Sequence, residues 1–191
     1  MKFFNIYITG VGGQGIGLLS EAMLLAGDNA GLDVRAVDTH GLAQRGGTVE
    51  SFLRVGKDIF SPLIPPGKAD LVVALEINEA LRGMEKYLRS DGTLIYYRTE
   101  WQPLEVRLNR KGTITPEVIV AEAGKRNIRV FEVFEKDLPD TRMQNVVVLA
   151  NIVKHSIIPG VTIDHYIKAL ESSLKGNVLA KNLEIFQRIT T

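Results

Sequence analysis

Phe4-Asn5-Ile6-Tyr7-Ile8-Thr9 runs straight into Gly10-Val11-Gly12-Gly13-Gln14-Gly15-Ile16-Gly17, and the join between the two decides the fold. The first six residues are largely apolar or β-branched and stop at a glycine cluster, the pattern of a strand. Beyond the cluster, Ile16, Leu19, Met23, Ala26 and Ala30 recur at steps of three and four until Gly31, as in a helix closed by a C-terminal glycine. Strand, glycine turn and helix in that order open an α/β unit. Within the turn, Gly10, Gly12 and Gly15 have the G-x-G-x-x-G spacing of dinucleotide sites. Glycines there tolerate positive φ and let backbone amides approach an anion, while the helix that follows aims unpaired N–H groups at it. Gly10, Gly12, Gly13, Gln14 and Gly15 are therefore candidate cofactor-binding residues for a phosphate-bearing ligand. The same glycines would equally serve close packing of helix on sheet with no ligand.

Outward from this unit the rhythm continues. Val34–Val37 reads as a second strand ending at Asp38, Thr48–Val55 as a third, and Ala69–Leu75, nearly all apolar, as a strand covered on both faces. Asn78–Leu88 reads as a helix, Thr93–Tyr97 as a strand, a helix opens near Pro116, and Ile128–Phe134 is a late strand. Tyr97–Pro103 is the least patterned stretch and is expected to be a loop. From Arg142 the stripes are helical: Val146, Leu149, Ala150 and Val153; Ile163, Tyr166, Ile167, Leu170 and Leu174; Leu179, Leu183 and Phe186. The expected fold is a Rossmann-like α/β domain over residues 1–191, with a mostly parallel sheet and a C-terminal helical segment packed on it.

Asp38 lies about 20 residues past the glycine turn, close to where a dinucleotide fingerprint places its ribose-binding acid. It would also serve to hydrogen-bond its own Thr39-His40-Gly41 turn. The next loop, His40-Gly41-Leu42-Ala43-Gln44-Arg45-Gly46-Gly47, follows the second strand, so a parallel sheet would start it at the same carboxyl edge as the glycine turn. Arg45 between flexible glycines offers a fixed fork for an anion, or a partner for Asp38 or Glu50 that orders the loop. His40, Gln44, Arg45, Gly46 and Gly47 join the candidate cofactor-binding set. For His40 a loop-ordering hydrogen bond is the plainer role than proton donation.

Composition removes several chemistries. The chain of 191 residues has no cysteine, so it offers no thiolate for an iron–sulfur cluster, no disulfide and no cysteine nucleophile. With 23 basic against 22 acidic side chains it lacks the footprint of a nucleic-acid binder. Its apolar runs are too short to span a bilayer, and Met1–Ile6 lacks the basic and apolar regions of a targeting segment, so a cytoplasmic location is expected. The three histidines are far apart and no H-E-x-x-H or G-x-S-x-G occurs, which leaves no metal site and no catalytic residue to assign. His155, near a predicted helix end, reads as a dipole partner, and His165 as a solvated helix residue.

Taken together, G-V-G-G-Q-G at residues 10–15, H-G-L-A-Q-R-G-G at 40–47, Phe52-Leu53-Arg54-Val55-Gly56, Ser61-Pro62-Leu63-Ile64-Pro65, Ala69–Glu76 and Asn145 before Val146-Val147-Val148-Leu149 resemble the gamma subunit or gamma domain of 2-oxoacid:ferredoxin oxidoreductases. Within that family the sequence is most similar to the indolepyruvate type, in the subunit called beta there. The resemblance implies oxidative decarboxylation of a 2-oxoacid to an acyl-CoA with thiamine diphosphate, magnesium, iron–sulfur clusters and ferredoxin. Little of that chemistry fits this chain. Thiolates are missing, and Ser90-Asp91-Gly92, read as a helix-to-strand turn, lacks the first glycine of a thiamine-type Gly-Asp-Gly. The redox centres are expected in thiamine- and cluster-binding partner subunits, with ferredoxin reached through the complex. Assembly and a share of coenzyme A binding at the glycine loop remain for this chain. The alternatives are a stand-alone NAD(P)-binding oxidoreductase, supported by the glycine spacing and Asp38, and a nucleotide-binding regulatory module. Trp101 and Tyr97 suit either partner anchors or core-edge cover, and Pro62–Pro66 either a packed connector or a docking strip.

Overall fold

A computed structural model describes residues 2–39, 47–100 and 114–191. The opening unit is as expected, with β1 (Phe3–Val11) running two residues into the glycine cluster before α1 (Ile16–Asn29). Then follow β2 (Asp33–Thr39), β3 (Thr48–Gly56), β4 (Ala69–Ala74), α2 (Ile77–Lys86), β5 (Leu88–Tyr97), α3 (Pro116–Gly124) and β6 (Arg129–Val133). A single 3₁₀ turn, Thr141–Met143, leads into α4 (Gln144–Lys154), α5 (Ile163–Ser173) and α6 (Gly176–Thr190).

The six strands form one sheet in the order β2-β3-β1-β4-β5-β6. The ladders β1–β4, β4–β5 and β5–β6 are parallel, whereas β3 runs antiparallel to both β1 and β2. Residues 40–47 are too few for a parallel crossover, which needs about a dozen residues or more, so β2 and β3 pair as a hairpin and β3 takes the place beside β1. The second loop still starts at the carboxyl edge of β1. It gets there by a hairpin and not by the parallel neighbour expected from a dinucleotide fold.

Period-two alternation sorts the apolar side chains between two cores. Ile6, Ile8, Leu71, Val73 and Ile95 face α1, α4, α5 and α6, while Tyr7, Val72, Ala74, Leu94 and Tyr96 face α2 and α3. Every residue of β4 is buried, because this central strand has helices over both faces. The C-terminal helices thus complete one layer of the α/β sandwich.

The sequence expectation needs adjustment at β5. This strand begins at Leu88, and Ser90-Asp91-Gly92 forms a bulge inside it, with Asp91 at φ 57°, where a helix-to-strand turn was expected. Tyr97 closes the strand instead of opening a loop. It is buried, and its hydroxyl donates to the Glu135 carbonyl (2.9 Å), so it covers the domain's own core. Trp101 lies outside the described residues.

Candidate functional site

The glycine turn is built by its neighbours. Val11 pairs with Thr48, so the chain leaving β1 lies against the chain entering β3, and the Gly12 amide donates to the Gly47 carbonyl (2.9 Å). The Gln14 side chain folds back over the turn: its Oε1 accepts from the Val11 amide (2.7 Å) and its Nε2 donates to the Leu75 carbonyl (3.1 Å). This bracing explains Gly10, where a Cβ would lie 2.8 Å from Gln14 Oε1 and 2.8 Å from Ile16 Cδ1. Gly15 caps α1 at φ 82°, a conformation that favours glycine, with no side-chain cap on the helix. The first-turn amides of α1 have no acceptor within the helix.

Asn145 seals the other side. Its Nδ2 donates to the Gly15 carbonyl (3.3 Å) across most of the chain length, and a Cβ on Gly15 would lie 2.7 Å from that nitrogen. Behind this contact lies a cavity of about 420 Å³ lined by Gly15, Arg142, Asn145, Asn177, Lys181 and Asn182, among others. Three helix N-termini border it: those of α1 and α6 carry no side-chain cap hydrogen bond, while the 3₁₀ turn leading into α4 is capped by Asp140 and the Val146 amide donates to Asn145 Oδ1 (2.7 Å). Of the charged side chains in the lining, Asp140 offsets Arg142, which leaves Lys181 and the helix dipoles as the features that favour an anion. Arg142 is engaged with Asp140 (Nη2 to Oδ2, 2.6 Å), and its guanidinium holds that carboxyl down at about 2. Lys181 has no ion-pair partner among the described residues.

A buried carboxylate network backs the turn on the opposite face. Glu79 accepts hydrogen bonds from Thr9 (3.2 Å), Thr48 (3.1 Å) and Arg82, and Glu76 caps α2 by accepting from the Glu79 amide (2.9 Å). Burial pushes the Glu79 carboxyl above the ordinary glutamate value, partly offset by Arg82 and the two threonines. Tyr7 donates its hydroxyl to Glu50 nearby, and burial raises the phenol far above its usual range.

Among the residues singled out by sequence, Gly10, Gly12, Gly13, Gln14, Gly15 and Gly47 come together here. His40, Gln44, Arg45 and Gly46 lie outside the described residues. Asp38 places Oδ1 where it accepts from the hydroxyls of Ser51 and Ser20 (3.2 Å), on the α1 face of the sheet, one strand away from β1, while the turn it was expected to order lies largely outside the described residues. The acid that the spacing offered to a ribose is thus engaged by two serines. His155 caps the end of α4 as a dipole partner would and stacks on Phe131 (centroids 4.4 Å). His165 sits instead in the first turn of α5, where its Nδ1 accepts from the Thr162 amide (3.1 Å) and closes a capping box. Sequence reasoning did not find Arg142, Asn177, Lys181 or Glu79. Asp140-Thr141-Arg142 carries a cap signal, but nothing local joins α6 to a turn near residue 15.

Comparison with known proteins bears on the family and the fold. Residues 5–190 match the family described as pyruvate ferredoxin/flavodoxin oxidoreductase. The chain is 34% identical to indolepyruvate oxidoreductase subunit IorB of Archaeoglobus fulgidus over 94% of this chain and 90% of that one. The gamma subunit of a keto/oxoacid ferredoxin oxidoreductase from Geobacter sulfurreducens superposes with a TM-score of 0.69 at 19% identity, covering 98% of this chain and 96% of that one. A 2-oxoglutarate:ferredoxin oxidoreductase from Magnetococcus marinus, solved with 2-oxoglutarate, coenzyme A and succinyl-CoA bound, gives 0.70 at 18% identity over 99% of this chain and 30% of that one. The chain belongs to the pyruvate ferredoxin/flavodoxin oxidoreductase family. Its architecture is that of the gamma subunits of these enzymes.

Proposed function

We propose that this chain is a gamma-type subunit of a 2-oxoacid:ferredoxin oxidoreductase of the indolepyruvate type, working in the cytoplasm as one domain over residues 1–191. Thiamine diphosphate, magnesium and the iron–sulfur clusters belong to partner subunits, ferredoxin takes up electrons through the complex, and this chain contributes assembly and a share of the coenzyme A site. The observation that carries the reading is the match along nearly the full length of a relative that is itself named as an oxidoreductase subunit. The absence of any cysteine in the sequence supports placing the clusters elsewhere.

The support for coenzyme A is chemical. Its diphosphate and 3′-phosphate are anions, and the turn at Gly12–Gly15, the uncapped start of α1 and the cavity edge at Lys181 form an anion-favouring tract next to one another, with Arg142 already paired to Asp140. The chain's own residues would bind and orient the phosphates, with Gln14 and Asn145 holding the turn in shape. Against the stand-alone NAD(P) reading we set the two serines that already share Oδ1 of Asp38.

Isothermal titration of coenzyme A into the assembled complex tests this reading. Lys181→Glu removes one cation and adds an anion at an exposed position, and is expected to weaken binding by about tenfold or more, roughly 1.4 kcal/mol. Unchanged affinity in both Lys181→Glu and Gly13→Asp would overturn the coenzyme A assignment.

A further inference from the structure

The sheet face that carries α2 and α3 is covered unevenly. Those helices pack on β1, β4, β5 and β6, while at the β2–β3 end the cover is the connector between β3 and β4, residues 57–68. That connector is anchored from within. Ile59 and Ile64 are buried, and Arg54 donates from Nη1 to the Ser61 carbonyl (3.2 Å). Held this way, it turns Phe60 and Leu63 outward at 93% and 61% exposure. Pro62, Pro65 and Pro66 restrict the backbone, so seating these two side chains in a partner would cost little further ordering.

Beside the apolar pair lies a predominantly positive surface, with the carboxylates of Asp33 and Asp58 at its edge. Arg35 and Arg54 stand directly opposite each other in the β2–β3 ladder, an arrangement of like charges that destabilises a sheet. Arg54 spreads over the Phe3 ring (5.0 Å) and keeps a buried Nε without a hydrogen-bond partner. Arg35 reaches only the carbonyl of its neighbour Val34 (2.8 Å), and neither arginine has an ion-pair partner among the described residues. Lys57 and Lys68 flank the two ends of the connector, and Asp58 is already bridged by Lys2 (3.2 Å).

We propose that Phe60 and Leu63, rimmed by Arg35 and Lys57, are the docking surface for the thiamine- and cluster-binding partner subunit, which presents an apolar pocket edged with carboxylates. The proposal rests on the subunit reading above. Charge selects the occupant: a second copy of this chain would lay the same cationic patch against itself, since a two-fold interface pairs a surface with its own image. A carboxylate-rimmed pocket would relieve the Arg35–Arg54 repulsion and bury the two apolar groups together.

The test is assembly of the co-expressed chain and large subunit, with the dissociation constant measured at low and high salt. Phe60→Ser with Leu63→Ser is expected to weaken assembly about 100-fold, as loss of central apolar anchors does. Arg35→Glu is expected to weaken it roughly tenfold at low salt and less at high salt. The serine variant should keep the wild-type melting temperature because its two side chains are exposed, and Arg35→Glu should keep or slightly raise it, since a carboxylate then faces Arg54 across the ladder. Variants that assemble with wild-type affinity overturn the docking surface and leave the subunit reading standing. A wild-type chain that does not bind the large subunit overturns the subunit reading itself. A wild-type dimer of this chain that Phe60→Ser/Leu63→Ser dissociates would reassign the surface to a second copy.

Discussion

Replacing Gly15 by alanine separates two reasons for a glycine at that position. The first is backbone: at φ 82° a Cβ costs about 1–2 kcal/mol. The second is tertiary, since the new Cβ would lie 2.7 Å from Asn145 Nδ2 and force the amide off the Gly15 carbonyl. Losing a partly buried hydrogen bond of this kind costs about 1 kcal/mol. Gly15→Ala should therefore destabilise by about 2–3 kcal/mol, which for a chain of this size lowers the melting temperature by roughly 4–12 °C. Gly13 is the internal control. It also has positive φ, 101°, but open space around it, so Gly13→Ala should cost only the backbone part, about 1–2 kcal/mol. The decisive measurement is the double-mutant cycle by urea unfolding. With Asn145→Ala already in place, Gly15→Ala should cost no more than Gly13→Ala, a coupling of about 1 kcal/mol. Strict additivity of Gly15→Ala and Asn145→Ala would refute the idea that α4 is built against the glycine turn.

Other substitutions probe the same packing from different sides. Two glycines of α1 should respond with opposite signs in thermal melts: Gly17→Ala, in open space, is expected to stabilise by about 0.5 kcal/mol. Gly27→Val, whose Cβ would meet Val34 at 2.8 Å and Val55 at 3.1 Å, should destabilise by about 1–3 kcal/mol. Tyr166 is fully buried with a hydroxyl that has no partner among the described residues, so Tyr166→Phe should raise stability by about 1 kcal/mol; a clear loss in urea unfolding would refute that account. The Glu79 carboxyl is raised by burial, so the folded state holds its proton more tightly than the unfolded chain and Glu79 loses stability as pH climbs above about 4.5. Glu79→Gln cannot ionise, and unfolding followed from pH 4 to pH 7 should show its stability improving relative to wild type as pH rises.

The strands and helices were legible wherever one periodicity ran without interruption. β1, α1 and β3 stand within two residues of where alternation and helical spacing put them, because one face of each is buried and its sequence must say so. β5 was harder to read. Arg89-Ser90-Asp91-Gly92 has the composition of a turn, and turn residues also make bulges, so only the pairing of Ala69 with Leu88 reveals that the strand has already begun. The hairpin at β2–β3 was legible in principle from the shortness of residues 40–47, but the fingerprint spacing of Asp38 pointed to a parallel neighbour. Spacing along the chain does not report which strand lies between. The glycine turn was recognisable as a candidate site because its chemistry is local to residues 10–15.

What the sequence determined alone was the alternation of strand and helix, the glycine turn between the first pair, and the absence of thiolate chemistry. These follow from side chains acting on their own backbone or from an element simply missing. Only the tertiary structure decided the strand order, the engagement of Asp38 by Ser20 and Ser51, and the closure of the Gly15 cavity by Asn145 and the start of α6. The physical reason is that a hydrophobic stripe states how much of an element must be buried and on which face, but not against what. Which partner covers it is settled when every stripe in the chain is buried at once, and the cavity is the space left where three helix starts meet.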